Sequence, residues 1–463
     1  MHRALLLSLA PAVSLCVPSS AQTGDDLHGP GLVTLPSQIR TPADLSGELY
    51  DPFDPPIVTL GLGGSLDTVT YQLNLPYRRW KEEFTLVRPA AGSPQPYPVL
   101  TLFHGFGESP AGVLNNTPLA AEAAARGWLV VIPTGAHVFN YGIDYAQDNI
   151  EDVFETLPAL GYVIDLDRVY AVDFSMGGGS AASYAARHLD PEHVRFAAVV
   201  NHTGSTSLRD TYVAAGLNQL FESPLMFGGA PNAAAFRYQR SSAIDLKPGN
   251  VIDPDTDMVR NLRHLPVIHW SAINDPLQYL VDQSRAMHLH LLNAWNGDSQ
   301  WNTVQASTHN WTTLATTILD TLATITRVDV SEDHFVPVLA DRSGRWHQFT
   351  VTQRRDKQFS PFTASWSSAA NSVELTGLEN IAAIGFDPSD AVMRLDSGSS
   401  LEVRVSTQTL QAVDIDVLEY PSAPSSVLRN GVPTSAWSYQ ATTGTLTLHE
   451  HQGFTGPRWS VNP

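Results

Sequence analysis

Between Val99 and Trp270 the chain alternates short apolar runs with longer segments of mixed polarity. The runs Val99–Phe103, Leu129–Ile132, Val169–Phe174, Phe196–Asn201 and Pro266–Trp270 are rich in β-branched and aromatic residues. They are too short for buried helices and predict strands covered on both faces. Helix-compatible stretches separate them, near Leu119–Arg126 and Asp148–Leu160, and another follows Ser175. Strands alternating with helices predict a mostly parallel sheet with helices on both faces. Ahead of it, Thr68–Leu75 alternates and predicts a first strand, with Phe84–Arg88 the next. Residues 205–264 break the rhythm. Phe221, Met226, Phe227, Phe236 and Tyr238 suit an insertion that packs its own small core, a cap over an apolar pocket, or both.

Beyond Arg327 the period shortens to two. Leu401–Val405 and Val413–Val417 alternate strictly, and Asn430-Gly431 is a hairpin signal followed by Thr445–Leu448. Short strands between turns predict an antiparallel β-sandwich-like unit over 327–463. Trp346, Trp366, Trp437 and Trp459 are candidates for a polymer-binding platform or, as is commoner for tryptophan, for its core. The organisation expected is therefore a signal at 1–21, an extended leader at 22–66, a catalytic domain at 67–326 and this accessory domain. Division into domains agrees with 463 residues, more than one ordinary core accommodates.

The beginning of the chain predicts export. His2 and Arg3 precede the apolar stretch Ala4–Val17, and Ser19-Ser-Ala21 resembles a cleavage site. The stretch contains Pro11 and falls short of the roughly 20 residues that span a bilayer, so stable membrane insertion is not expected. Cleavage after Ala21 removes Cys16, the only cysteine. Lipidation of Cys16 is disfavoured by Leu15, where a small residue is wanted. A secreted or periplasmic address follows. The formal charge of −19 argues against nucleic acid and anionic membranes as partners and suits a neutral substrate. Nothing in the sequence calls for an obligate protein partner.

The chemistry concentrates where the apolar run Val169–Phe174 meets Ser175-Met-Gly-Gly-Gly179. A strand that turns sharply into a helix holds a serine hydroxyl at its tip, and the helix N-terminus offers N–H groups to a developing oxyanion. The pattern wants glycine two residues before the serine, and this chain has Asp173. A carboxylate there is tolerated by an opened turn, or lies near the catalytic base and raises its pKa, or marks a silent site. Upstream, His104-Gly-Phe-Gly107 closes the Val99–Phe103 run, a turn placed to supply a second oxyanion donor from Phe106 or Gly107; the first would come from Met176. Downstream, Asp275 ends the apolar run through Trp270, and His309 sits in a loop before a helical segment. The order serine, aspartate, histidine differs from that of the chymotrypsin and subtilisin types. Ser175 is the expected nucleophile, His309 its base, and Asp275, preferred over the nearby Asp282, the group that orients the base. His202 and Trp311 are expected to contact substrate. His104 is expected to order the oxyanion turn. His449 and His451 flank Glu450 without further ligands, so no metal site is expected.

The residues His104-Gly-Phe-Gly, Ala123–Pro133, Ile164–Tyr170, Phe174-Ser-Met-Gly-Gly, Asn274-Asp-Pro and His309-Asn-Trp together resemble a known family. From about Leu73 to Ile325 the chain is similar to the secreted α/β-hydrolase esterases, a group with polyhydroxybutyrate depolymerases, feruloyl esterases and acetyl-xylan esterases. The resemblance implies an α/β-hydrolase fold and cofactor-free cleavage of carboxylic esters, polysaccharide-linked or polyester, through an acyl-enzyme. Prolyl-oligopeptidase-like serine peptidases share much of this pattern and remain an alternative. A third reading is a catalytically silent binding protein on a hydrolase fold.

Overall fold

The computed structural model describes residues 47–63, 66–247, 251–311, 314–330, 335–407, 412–451 and 456–463. The segment expected to be a signal at 1–21, Cys16 and most of the expected leader lie outside the described residues. A nine-stranded sheet organises the first two thirds of the chain. Its strands are β1 (Ile57–Gly63), β2 (Thr68–Leu73), β3 (Glu82–Val87), β4 (Tyr97–Phe103), β5 (Leu129–Pro133), β6 (Ile164–Phe174), β7 (Ala198–His202), β10 (Val267–Ala272) and β11 (Ser299–Val304). The short hairpin β8 (Leu246–Lys247) and β9 (Val251–Ile252) stands apart from the sheet. The order is β1-β2-β3-β5-β4-β6-β7-β10-β11. The pairings from β1 to β5 are antiparallel, and those from β5 onward to β11 are parallel. One feature departs from the sequence expectation. Ile57–Gly63, assigned to an extended leader, is the edge strand β1, paired with β2 along its length.

Helices cover both faces: α1 (Pro110–Asn116), α2 (Leu119–Ala125), α3 (Asp144–Thr156), α4 (Met176–Arg187), α5 (Leu208–Ala215), α6 (Asn218–Phe221), α7 (Ala235–Arg240), α8 (Gln278–Trp295) and α9 (Ala315–Leu322). Strand alternation sorts the core. Val99 and Phe103 of β4, Leu129 and Val131 of β5, and Val169 and Ala171 of β6 pack with α3, α4 and α8. Leu100, Leu102, Val130, Ile132, Tyr170 and Val172 pack on the other face with α1, α2 and α9. Residues 205–264 contribute α5, α6, α7, the hairpin and a 3-10 turn at Met258–Leu262. Phe221, Phe227 and Tyr238 form an aromatic cluster there that also contains Tyr141 and Met176, so the insertion packs its own core directly against the end of the elbow helix.

From β12 (Val336–Ala340) onward the chain forms a seven-stranded and a six-stranded sheet whose buried residues share one apolar core. Asn430 and Gly431, both with positive φ, turn the hairpin between Ser426–Arg429 and Val432–Pro433. The sheets are not wholly antiparallel. Ser372–Leu378 runs parallel to Leu401–Thr407, and Ile381–Phe386 parallel to Val413–Val417. The chain passes from one sheet to the other between these strands, and such a crossover permits parallel pairing. Of the four tryptophans, Trp346, Trp366 and Trp459 are buried in the shared core, the commoner of the two readings, and Trp437 is half-buried beside it.

Charged and polar groups join this β unit to the α/β sheet. The Asp341 carboxylate accepts from Arg187 Nε at the end of α4 and from Arg240 Nε at the end of α7, both at 2.8 Å. Asn261 donates to the carbonyls of Ala186 and Leu339 and accepts the Leu339 N–H. Leu339 of β12 itself belongs to the core formed by α3, α4 and α8.

Candidate active site

Ser175 stands between β6 and α4 with φ 58° and ψ −119°. A non-glycine residue at positive φ is strained, and the surroundings hold it there. Its N–H donates to His202 O, and its carbonyl accepts from Gly178 N and Ser205 N. The glycines after it let helix and strand close up. A Cβ on Gly179 would lie 1.8 Å from Ser205 O, and one on Gly178 would lie 2.6 Å from Asn201 Oδ1. No side chain fits at either place.

The three residues picked from the sequence as nucleophile, base and acid are joined by hydrogen bonds. His309 Nε2 is 2.8 Å from Ser175 Oγ, and Nδ1 is 2.9 Å from Asp275 Oδ2. Asp275 is buried and also accepts the Leu277 N–H, so its carboxylate is fixed at the end of β10. A carboxylate only accepts, so Nδ1 carries the proton and Nε2 is free to accept from the serine. Asp282, the alternative acid, is exposed on α8. The Phe174 ring lies 4.5 Å from the His309 ring and supports it from below.

Two N–H groups expected to hold the oxyanion, those of Met176 and Phe106, have no acceptor among the described residues. Met176 opens α4, where a first-turn N–H has no intrahelical partner, and no described residue accepts from Phe106 N. Gly107 is excluded as a donor, because its N–H is taken by Val138 O at 2.9 Å. His104 is buried with its ring nitrogens 2.8 and 2.9 Å from the carbonyls of Gly105 and Thr134, which fastens the turn to the end of β5. The loop after β5 is fastened in turn by Glu82. That buried carboxylate accepts the N–H groups of Thr134, Gly135 and Ala136, and burial pushes its pKa up to about 7 despite them.

No protein-family model and no curated protein matches this sequence. Among solved structures, a ferulic acid esterase is 19% identical over 55% of this chain and 96% of its own, with a TM-score of 0.37. An S-formylglutathione hydrolase from Agrobacterium tumefaciens is 16% identical, covering 58% of this chain and 98% of its own, with a TM-score of 0.41. A puromycin-hydrolyzing peptidase of Mycobacterium tuberculosis is 18% identical over 56% of this chain but 38% of its own, with a TM-score of 0.41. Scores this low carry no functional argument, which rests on the geometry of the site.

Asp173, the departure from the elbow pattern, is fully buried on the sheet face covered by α3, α4 and α8, in register with Asn201 of β7. Neither of its oxygens has a well-formed hydrogen bond, and burial pushes its carboxyl well above the usual range, which favours the neutral form. Gly178 makes room for it: a Cβ there would lie 3.0 Å from Asp173 Oδ1. Alternation turns Phe174, and not Asp173, toward His309.

Neither residue expected to contact substrate is open to it. His202 is 3% exposed and packs on Phe174, and burial beside His309 lowers its pKa to about 3. Trp311 is 6% exposed, packs on the other side of Phe174, and donates Nε1 to Glu108. Both side chains turn inward because Phe174 and Glu108 hold them there. Glu108 itself escaped the sequence reading. Its signal was a lone acid immediately after the His-Gly-Phe-Gly turn.

Proposed function

We propose that the chain is a serine hydrolase that cleaves carboxylic esters through an acyl-enzyme. The observation that carries this is the unbroken hydrogen-bonded series from Ser175 Oγ through His309 to Asp275. Ser175 Oγ attacks the ester carbonyl while His309 Nε2 takes its proton, and Asp275 stabilises the imidazolium. The oxyanion is met by the N–H groups of Met176 and Phe106; losing one such donor typically costs about 3 to 4 kcal/mol of transition-state stabilisation. The tetrahedral intermediate collapses, the C–O bond to the alcohol breaks, and His309 returns its proton to the leaving alkoxide. Water, deprotonated by His309, then attacks the acyl-enzyme, and Ser175 recovers its proton as the acid leaves.

The same reading takes residues 1–21 as an export signal, 205–264 as a cap that closes one side of the site, and 327–463 as a sandwich-like accessory domain. Esters on plant polysaccharide or in aliphatic polyesters are the substrate classes implied by the resemblance. With Trp346, Trp366 and Trp459 buried, half-buried Trp437 is what is left of the four candidate tryptophans, so they lend a polymeric substrate little support.

The test is a panel of p-nitrophenyl esters beside aminoacyl p-nitroanilides, with Ser175→Ala as control. Hydrolysis of the esters that disappears in the variant supports the proposal. Preference for the anilides would turn the reading to a peptidase, and turnover of neither would favour a silent binding protein.

A further inference from the structure

We infer that Glu108 is a positioning residue that holds the oxyanion turn and the histidine loop in register; this deepens, and rests on, the hydrolase reading. Glu108 is 7% exposed and has no cationic partner among the described residues. A buried carboxylate without a counter-ion is costly, and only a complete set of donors keeps it in place. Here every donor is a neutral N–H. Oε2 accepts from Gly105 N at 2.8 Å and from Trp311 Nε1 at 3.0 Å. Oε1 accepts from Asn116 Nδ2 at 2.7 Å and shares the same Trp311 N–H at 3.1 Å.

The sources of these donors give the arrangement its function. Gly105 directly precedes Phe106, whose N–H is the free donor of the turn. Trp311 follows His309 by two residues, and its ring rests on Phe174, which in turn lies under His309. Asn116 ends α1 and anchors the carboxylate to a helix of the sheet's outer layer. One side chain therefore bonds to both the oxyanion turn and the segment that carries the catalytic base. Displacements near 1 Å between two such parts cost on the order of a hundredfold in rate. A glutamine at this position would turn an N–H toward at least one of the same donors, and the grip would open on that side.

The experiment measures kcat and KM for p-nitrophenyl acetate, the rate of fluorophosphonate labelling at Ser175, and the thermal midpoint. The proteins are wild type, Glu108→Gln, Trp311→Phe and the double variant, all as the full mature chain. Trp311→Phe keeps an aromatic ring and removes the N–H, so it decides the matter alone where Glu108→Gln fails to fold. The expected result is a loss of roughly tenfold or more in kcat and in labelling rate for each single variant. KM stays within about twofold, and the double variant is no slower than the worse single one, because both act through one contact. A kcat within about twofold of wild type in Trp311→Phe, or a rise in KM with kcat intact, would overturn the inference. Losses that multiply in the double variant would do the same. A wild-type chain that neither hydrolyses ester nor labels at Ser175 fails the hydrolase reading itself, whereas an active wild type matched by its variants fails this inference alone.

Discussion

Burial of several histidines predicts a fold that loses stability as pH falls. Burial holds His137, His202 and His269 near a pKa of about 3. The geometry agrees. His137 Nδ1 receives the Phe139 N–H, leaving Nε2–H to donate to the Tyr145 hydroxyl, which donates to Leu225 O. His269 Nδ1 faces the Asn201 amide, itself a donor. A second proton on either ring would meet another N–H. The unfolded chain binds protons at these side chains near pH 6.5 and the native chain does not, so native stability is full above about pH 7 and falls as pH drops. At pH 5 each such histidine costs about 2 kcal/mol, and the three together about 6 kcal/mol. His188 and His347, also lowered by burial, act in the same direction. Glu82, raised to about 7, opposes them and returns about 2 kcal/mol between pH 7 and 5, and Asp173 acts with it. His264, lowered to about 4, adds a further loss of about 2 kcal/mol, so the balance of the groups with assigned values is a loss of about 6 kcal/mol, a large part of the 5–15 kcal/mol typical of a folded domain. Urea unfolding followed by tryptophan fluorescence at pH 8, 7, 6 and 5 measures this directly. His269→Gln should flatten the slope below pH 6 by about 1 kcal/mol per pH step. A stability that is level or rising from pH 7 to 5 would refute the reasoning.

Asp341→Asn leaves the Arg187 guanidinium buried without its counter-charge and should cost about 3–5 kcal/mol in urea unfolding at pH 7, with the α/β sheet and the β unit both affected; a loss confined to the β unit would contradict the shared interface. Gly179→Ala drives a methyl group onto the Ser205 carbonyl and should cost more than about 3 kcal/mol and abolish labelling of Ser175, read by thermal melting and mass spectrometry. Asp173→Asn preserves a neutral group of the same volume and should keep kcat/KM within about threefold of wild type; a hundredfold loss would mean that the acid itself takes part in the reaction.

Much of the site was legible in the chain because its parts are local. The strand, serine and glycines of the elbow are contiguous, Asp275 follows an apolar run that announces a sheet strand, and His309 stands in a loop before a helical segment. Period-two burial in Leu401–Thr407 and Val413–Val417 also follows directly from sequence alternation. What escaped depends on partners distant in sequence. Whether Phe106 or Gly107 offers a free N–H is decided by Val138, on a loop that Glu82 fastens from another strand. Trp311 and His202 read as pocket residues until Glu108 and Phe174 turn them inward. Asp173 read as a departure with three possible meanings because the space that receives it is made on the neighbouring helix by Gly178. Parallel pairing in the β unit follows from the path of the chain between two sheets, which alternation along one strand does not encode.

The central claim is that His309 and Asp275 activate the hydroxyl of Ser175. Reaction of the folded protein with a fluorophosphonate probe, mapped by mass spectrometry, tests it most directly. The account predicts a single adduct on Ser175, absent from Ser175→Ala and slowed at least a hundredfold in His309→Ala. An adduct formed equally fast without His309, or no adduct on folded protein, would contradict it.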